Sequence, residues 1–292
     1  MVLEHIFPED WLEQKARYAL VLGIGYSVVG ILIASLLFPQ DPALVAVAFT
    51  SLLLLPELYK IFSIEERRER MEKKITLRSL FNDDWDIVKI YLFLFVGILL
   101  VYAIATMAMP SFQTNTLFRE QLEIRLGQGF AGNAVLGTFS SDLFWSLLNN
   151  NFFVMLACFI MALLTGDGAI FLIVWNASVW GTIFGYTACA ASNFSGENIY
   201  SLFAKIMLVV TPHMMIEATC YILAAIAGAV ISKDVILEEF ASDRFMEVFG
   251  FNIYLLLFAV LFLILGAGVE AWVLENVTLY SDIIRMSFLG IC

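Results

Sequence analysis

The chain has 292 residues, of which 61% are hydrophobic and 15% are charged, and its mean hydropathy is +0.87. These values exclude a pair of soluble domains and indicate a helical membrane protein, because several apolar runs of about 20 residues can each cross a hydrocarbon core. A β-barrel would instead need alternating segments of about 10 residues. The net charge of -11 is spread over loops and helix ends, so we expect no nucleic-acid partner.

Residues 1–63 predict a short interfacial helix followed by a transmembrane hairpin. Residues 1–16 mix apolar and charged side chains, which is typical of a helix lying at the membrane surface. Two apolar spans follow, from about Arg17 to Phe38 and from about Ala43 to Phe62. Pro56 predicts a kink in the second span, because proline removes one helical hydrogen bond.

Residues 64–86 predict a charged cytoplasmic linker. Six basic side chains lie between Glu65 and Arg78, and basic residues in short loops mark the cytoplasmic side. The run could instead bind anionic lipid or a protein, but its interleaved Glu residues are typical of an exposed, ion-paired helix. We therefore expect a multi-pass protein of the cell membrane with a cytoplasmic N-terminus and an external C-terminus. Twelve of the sixteen Lys and Arg residues then lie on the inner side.

Residues 87–292 predict a five-span membrane domain, so the expected fold is an all-α, polytopic transmembrane bundle of about seven spans. Apolar residues at helical spacing between Ser111 and Ser141 predict an amphipathic helix resting on the outer surface. A second external amphipathic segment is expected from Tyr280 to Cys292. The five predicted spans are Ile87 to Met109, Asp142 to Leu164, Ala169 to Ala190, Pro212 to Ile231, and Phe249 to Leu274.

The run from Ile199 to Ile231 is too long for one straight span. Its 33 residues, at about 1.5 Å each, exceed the hydrocarbon thickness by about 20 Å. Pro212 removes a backbone donor and predicts a break at Thr211. The preferred interpretation is an interfacial helix up to Val210 followed by a true span. The alternative is one broken helix that enters the membrane and continues.

The strongest candidate site lies beside that proline. His213 and Glu217 are four residues apart, on one helix face, and ionisable side chains at membrane depth are functional by default. We predict that they form a polar unit with at least one nearby Asn, since a carboxyl group in hydrocarbon needs partners or water. This unit either clamps neighbouring spans together or handles a solute, lipid or proton. The Asn candidates are Asn149, Asn150, Asn151 and Asn176.

The fifth predicted span carries a ridge of small residues that favours close helix packing. Ala177, Gly181 and Gly185 follow a small-xxx-small pattern, which lets two backbones approach each other. Asn176 lies next to this ridge and has two open interpretations, a buried interhelical hydrogen bond or the wall of a polar pocket.

We expect no metal, cofactor, zinc site or disulfide framework. A zinc site needs three or four protein ligands, and His213 and Glu217 supply only two of them. The four cysteines have no C-x-x-C spacing, and the first three lie in apolar helices, where Cys behaves as a small hydrophobic residue. They are Cys158, Cys189, Cys220 and Cys292.

Several of these features together resemble the stage II sporulation protein M family, over roughly residues 85 to 280. That family combines an Asn pair, a Gly-rich hairpin, an Asn-Gly step and a Pro-His-Gly step with a downstream Glu. Ala177 and Met214 stand where the family pattern has Gly. The matching residues are Asn149 to Asn151, Thr165 to Gly168, Asn176, Gly181, Gly185, Pro212, His213, Glu217, Ala224, Ala225, Ala227 and Gly228.

The resemblance implies a membrane scaffold, since the spore-former member organises peptidoglycan-degrading partners. We therefore expect a non-enzymatic membrane-organising protein that contacts lipids and either protein partners or further copies of itself. The alternative is a channel or transporter whose polar pathway runs past His213 and Glu217, because intramembrane ionisable residues are what solute pathways use.

Overall fold

The computed structural model describes residues 16–71, 77–127, 141–237 and 242–292, without the side chains of 61–71, 77–84, 126–127, 141, 234–237 and 243–244. The regular elements within these ranges are α-helices, which confirms the all-α prediction. They are α1 (Arg17–Leu37), α2 (Pro42–Met71), α3 (Leu77–Ala108), α4 (Ser111–Leu117), α5 (Arg119–Gly127), α6 (Ser141–Thr165), α7 (Ala169–Ser195), α8 (Ile199–Leu237), α9 (Asp243–Asn276) and α10 (Thr278–Leu289).

Seven of the described helices are long and apolar enough to cross a membrane, as the sequence predicts. The chain is therefore a multi-pass membrane protein. α2 continues through Pro56, and α3 ends just before Pro110, where the sequence predicts a stop. The spanning parts are Arg17–Leu37, Pro42–Lys60, Trp85–Ala108, Asp142–Thr165, Ala169–Ser195, Ile199–Lys233 and Phe245–Asn276.

The bundle is arranged around α3, α7 and α8. The N-terminal hairpin joins the rest of the bundle where α1 packs on α3, and α7 also packs on α3. Glycines make the α1–α3 contact close: a methyl group added at Gly97 would lie 2.5 Å from the carbonyl oxygen of Leu20. α8 packs extensively against both α6 and α9. This second contact region contains the candidate site.

α8 is one continuous helix, so both predicted interruptions near Pro212 are wrong. The most apolar stretch of α8 is 83% buried within the protein. The length of this helix is therefore set by neighbouring helices rather than by the thickness of the lipid. Pro212 lies on the exposed face of the helix, and the Thr211 hydroxyl donates to the Met207 carbonyl oxygen one turn earlier. Packing neighbours and a nearby hydroxyl are what make proline tolerable inside a membrane helix.

The helices α4, α5 and α10 lie at one end of the bundle, which we call the cap. The helical spacing predicted α5, and the apolar face of this helix packs onto the bundle. Phe118 and Gln121 are fully buried, and α5 packs against α7. Its opposite face is exposed and carries an ion pair between Arg119 and Glu123 at 3.5 Å. One side of the cap is therefore buried in the protein interior, and the other side is exposed.

A disulfide between Cys189 and Cys292 fastens the cap, which contradicts the prediction that the cysteines are unpaired. The two Cα atoms are 5.2 Å apart although 103 residues separate them in sequence. The pairing arises because α10 folds back along α7, a tertiary contact that cysteine spacing does not reveal. Cys158 and Cys220 are free and buried.

Two predictions fall largely outside the described residues. The interfacial helix of residues 1–16 is one, since the description begins at Ala16. The ion-paired side chains between Glu65 and Arg78 are the other.

Candidate functional site

A cavity of about 140 Å³ lies among α6, α7, α8 and α9, below the cap. It has room for a few waters at about 30 Å³ each. Apolar and aromatic residues supply much of its wall, and Tyr280 of α10 and Ile124 of α5 contribute from the cap side. Among the described residues, the ionisable side chains on the wall are His213, Glu217, Glu270 and Tyr280.

His213 and Glu217 face this cavity from α8. Their four-residue spacing puts both on the buried face of the helix, where they are 7% and 2% exposed. Neither the Nδ1 atom of His213 nor the Oε1 atom of Glu217 has a hydrogen-bonding partner in the protein. Buried polar atoms are almost always hydrogen-bonded to protein or to water, so these two atoms favour an occupant in the cavity.

Glu270 of α9 is the residue that the sequence reasoning missed. Its side chain lines the same cavity as Glu217, from the neighbouring helix across the α8–α9 contact. Gly266, one turn earlier on α9, makes this approach possible, because a methyl group there would lie 2.8 Å from Glu217 Cγ. The signal was available: Glu270 is also an ionisable residue inside an apolar run, by the same criterion that identified Glu217.

Two of the four predicted Asn residues line the cavity. Asn151 is buried, and Asn150 is exposed and donates from Nδ2 to Asn151 Oδ1 at 3.3 Å. Asn150 therefore lies where the cavity meets the surface. Asn149 is exposed and is not part of the wall. Asn176 also lies elsewhere, and its amide donates to the carbonyl oxygen of Leu172 in its own helix at 2.8 Å.

The small-residue ridge of α7 faces α3. Ala177 is fully buried, and a methyl group at Gly181 would collide with the carbonyl oxygen of Leu99. One at Gly185 would lie 2.6 Å from the carbonyl oxygen of Ala103. The ridge therefore brings the two backbones together and fixes the position of the α7 side chains that wall the cavity on the opposite face.

Arg125 lies buried in the cap. Its guanidinium lies 4.5 Å from the ring centre of Phe288 and 4.9 Å from that of Tyr186, and it donates to the Ser287 hydroxyl at 2.6 Å. Burial lowers the pKa of Arg125, while Tyr186 and Tyr280 oppose the shift. Burial likewise raises the pKa of Tyr280, with Glu270 adding to the shift and Arg125 opposing it. Tyr280 therefore interacts electrostatically with both Arg125 and Glu270.

In the part of the chain that the structure describes, no group of three or more His, Cys, Asp and Glu side chains is arranged to hold a metal ion. The fold and the cavity define a polytopic helical membrane protein with a polar chamber inside the bundle.

The sequence pattern of the family described as Stage II sporulation protein M matches residues 90–273, which is more than half of the chain. The chain belongs to this family. The match includes His213, Glu217 and Glu270, so the three ionisable residues contributed by α8 and α9 lie within the family domain. No curated protein and no solved structure matches the chain.

Proposed function

We propose that this protein is a channel or transporter that handles a small polar solute in the cavity beside His213 and Glu217. One observation carries the proposal: His213 Nδ1 and Glu217 Oε1, buried polar atoms of two side chains that line the cavity, have no protein partner. A clamp between helices would use such atoms in interhelical hydrogen bonds, since each unpaired polar group costs about 1–3 kcal/mol. Their availability supports a bound solute or water pathway over a purely structural role.

Glu217→Gln separates a solute site from a clamp. The substitution keeps the shape and much of the hydrogen bonding but removes the ionisable group. In proteoliposomes, we expect wild-type protein to take up small polar solutes faster than empty vesicles, and we expect the variant to lose this uptake while its thermal unfolding midpoint is nearly unchanged. Glu123→Gln is the matched control, since that side chain is 66% exposed on the cap.

The uptake assay uses a panel of urea, glycerol and methylammonium, followed by stopped-flow light scattering. Uptake equal to that of empty vesicles for all three solutes would contradict the proposal. So would wild-type uptake in the Glu217→Gln variant.

A second candidate function is a non-enzymatic scaffold that organises the membrane or partner proteins, as the family resemblance implies. The observation that favours it is the exposure of apolar side chains beside the cap, where Leu289 is 68% and Ile291 is 75% exposed. Exposed apolar surface is typical of contacts with proteins or lipids. A partner or second copy that co-purifies in stoichiometric amount, and is lost on Leu289→Glu, would support this function.

We also propose that the cap and the C-terminus lie outside the cell membrane and the N-terminus inside. The excess of Lys and Arg at the opposite end of the bundle supports this orientation. The disulfide between Cys189 and Cys292 supports it independently, because disulfides persist in oxidising compartments outside the cytoplasm.

A further inference from the structure

The carboxyl pair Glu217 and Glu270 is built to hold one positive charge. Both line one cavity of about 140 Å³, and the Glu217 side chain packs against Gly266, one turn before Glu270 on α9. Glu217 is 2% exposed and Glu270 is partly buried. Two carboxyl groups that share one small, buried cavity cannot both be ionised at low cost, so without a bound cation the pair shares a proton. The shared proton is also what a bound cation would replace.

A second and independent feature of the cavity points to a cation as the occupant. His213 lines the cavity, is 7% exposed, and has a buried Nδ1 atom without a protein partner. In its neutral form an imidazole nitrogen can accept a hydrogen bond from a cationic N–H group. The two carboxyl groups and the imidazole therefore offer acceptors from α8 and α9 to one small guest.

The rest of the wall suits an organic cation. Trp180, Phe184 and Tyr280 line the cavity, and aromatic faces attract ammonium groups through their quadrupoles. The volume of about 140 Å³ accommodates a cation with a few carbon atoms rather than a large substrate. Asn150 at the mouth supplies a polar entrance.

We propose that the cavity binds a small primary ammonium cation in exchange for the proton shared by Glu217 and Glu270. On binding, the ammonium donates to the two carboxylates and to His213 Nδ1, and the shared proton leaves to solvent. One positive charge enters and one leaves, so the charge in the cavity is unchanged. The inference deepens the proposed function by naming the solute class, and it rests on the same cavity.

The exchange makes binding depend on pH in a defined way. When the pair is protonated, apparent affinity should rise about tenfold per pH unit, because each bound cation displaces one proton. Other titratable or charged groups near the pair come from four helices. They are His213, Cys220 and Tyr221 of α8, Cys158 of α6, Tyr280 of α10, and Arg125 of α5, which acts through Tyr280.

The test is an equilibrium titration of the purified, full-length protein in detergent with methylammonium chloride, followed by the thermal unfolding midpoint and by calorimetry. Sodium chloride and N-methyl-D-glucamine chloride at equal ionic strength are the salt controls. We expect methylammonium to raise the midpoint more than either control, with apparent affinity rising about tenfold for each unit of pH over about two units.

The residue assignment is tested with Glu217→Gln and Glu270→Gln. Each variant should lose the methylammonium-specific shift, whereas Glu123→Gln should keep it. If either glutamine variant fails to fold, proton release from the wild-type protein decides instead: in weakly buffered solution, one proton should appear for each cation bound.

Three results would overturn the inference: a methylammonium shift no larger than that of sodium, binding without proton release, or an unchanged shift in folded glutamine variants. The proposed binding site and the proposed transport function can be refuted separately. Methylammonium binding without any solute uptake would leave this site intact and remove the transport function. Uptake of urea or glycerol without methylammonium binding would do the reverse.

Discussion

Gly266 determines how closely α9 can approach the Glu217 side chain. A methyl group at this position would lie 2.8 Å from Glu217 Cγ, so Gly266→Ala must displace the carboxyl group or the helix. We expect a loss of about 1–3 kcal/mol, as for other overpacked sites, measured as a lower thermal unfolding midpoint. Gly268 on the same helix has open space around it, and Gly268→Ala is the matched control. Equal midpoints for the two variants would contradict this role.

Single residues also explain why the site was only partly predictable. His213 and Glu217 share a helix, so their spacing alone places them together. Glu270 joins them from another helix, and its distance in sequence carries no information about that contact. The chemistry of Asn176 predicts a place in the site, but its amide donates to the backbone carbonyl of Leu172 in its own helix.

Among the helices, the contact between α3 and α7 depends on small side chains. Gly181→Leu would drive a bulky group into the carbonyl oxygen of Leu99 and towards Tyr102 Cβ, which lies 3.0 Å from an added methyl group. We expect this variant to lose stability by about 1–3 kcal/mol or more, or to fail to assemble. Gly25→Leu on α1 is the control, because Gly25 is exposed and has open space around it.

The measurement is the yield of monodisperse protein together with its thermal midpoint. A Gly181→Leu variant that purifies with the midpoint of wild type would mean that this face of α7 does not require close packing.

The attachment of α10 to α7 should depend on the disulfide. Cys189→Ser removes the bond to Cys292, and we expect a loss of about 2–4 kcal/mol, the usual range for a native disulfide. Thermal unfolding with and without dithiothreitol measures it. Reductant should lower the midpoint of the wild-type protein and leave that of Cys189→Ser unchanged. If reductant also lowers the midpoint of the variant, the bond is not the cause.

For the molecule as a whole, the orientation in the membrane can be tested at two exposed positions at opposite ends of the bundle. Asn115 lies in the cap, and Asp86 lies at the other end of α3. Cells that express Asn115→Cys should react with a membrane-impermeant maleimide, whereas intact cells with Asp86→Cys should react only after permeabilisation. Cys158 and Cys220 are buried, and the other two cysteines are paired, so the background is low. The opposite labelling pattern would invert the orientation.

The sequence by itself determined the class of the protein, the seven spans and the family. Each of these depends on local composition or on short patterns: apolar runs set the spans, and spaced small and polar residues set the family match. The placement of His213 and Glu217 on one helix face was equally local. These properties can be predicted without knowing which helix packs on which.

The tertiary structure alone decided which elements meet. It kept α8 continuous through Pro212, because burial among other helices removes the limit that lipid thickness imposes on an isolated span. It joined Cys189 to Cys292 and brought Glu270 to the same cavity as Glu217, since both arrangements link residues far apart in sequence. Local pattern cannot encode such contacts, because they depend on the relative placement of whole helices.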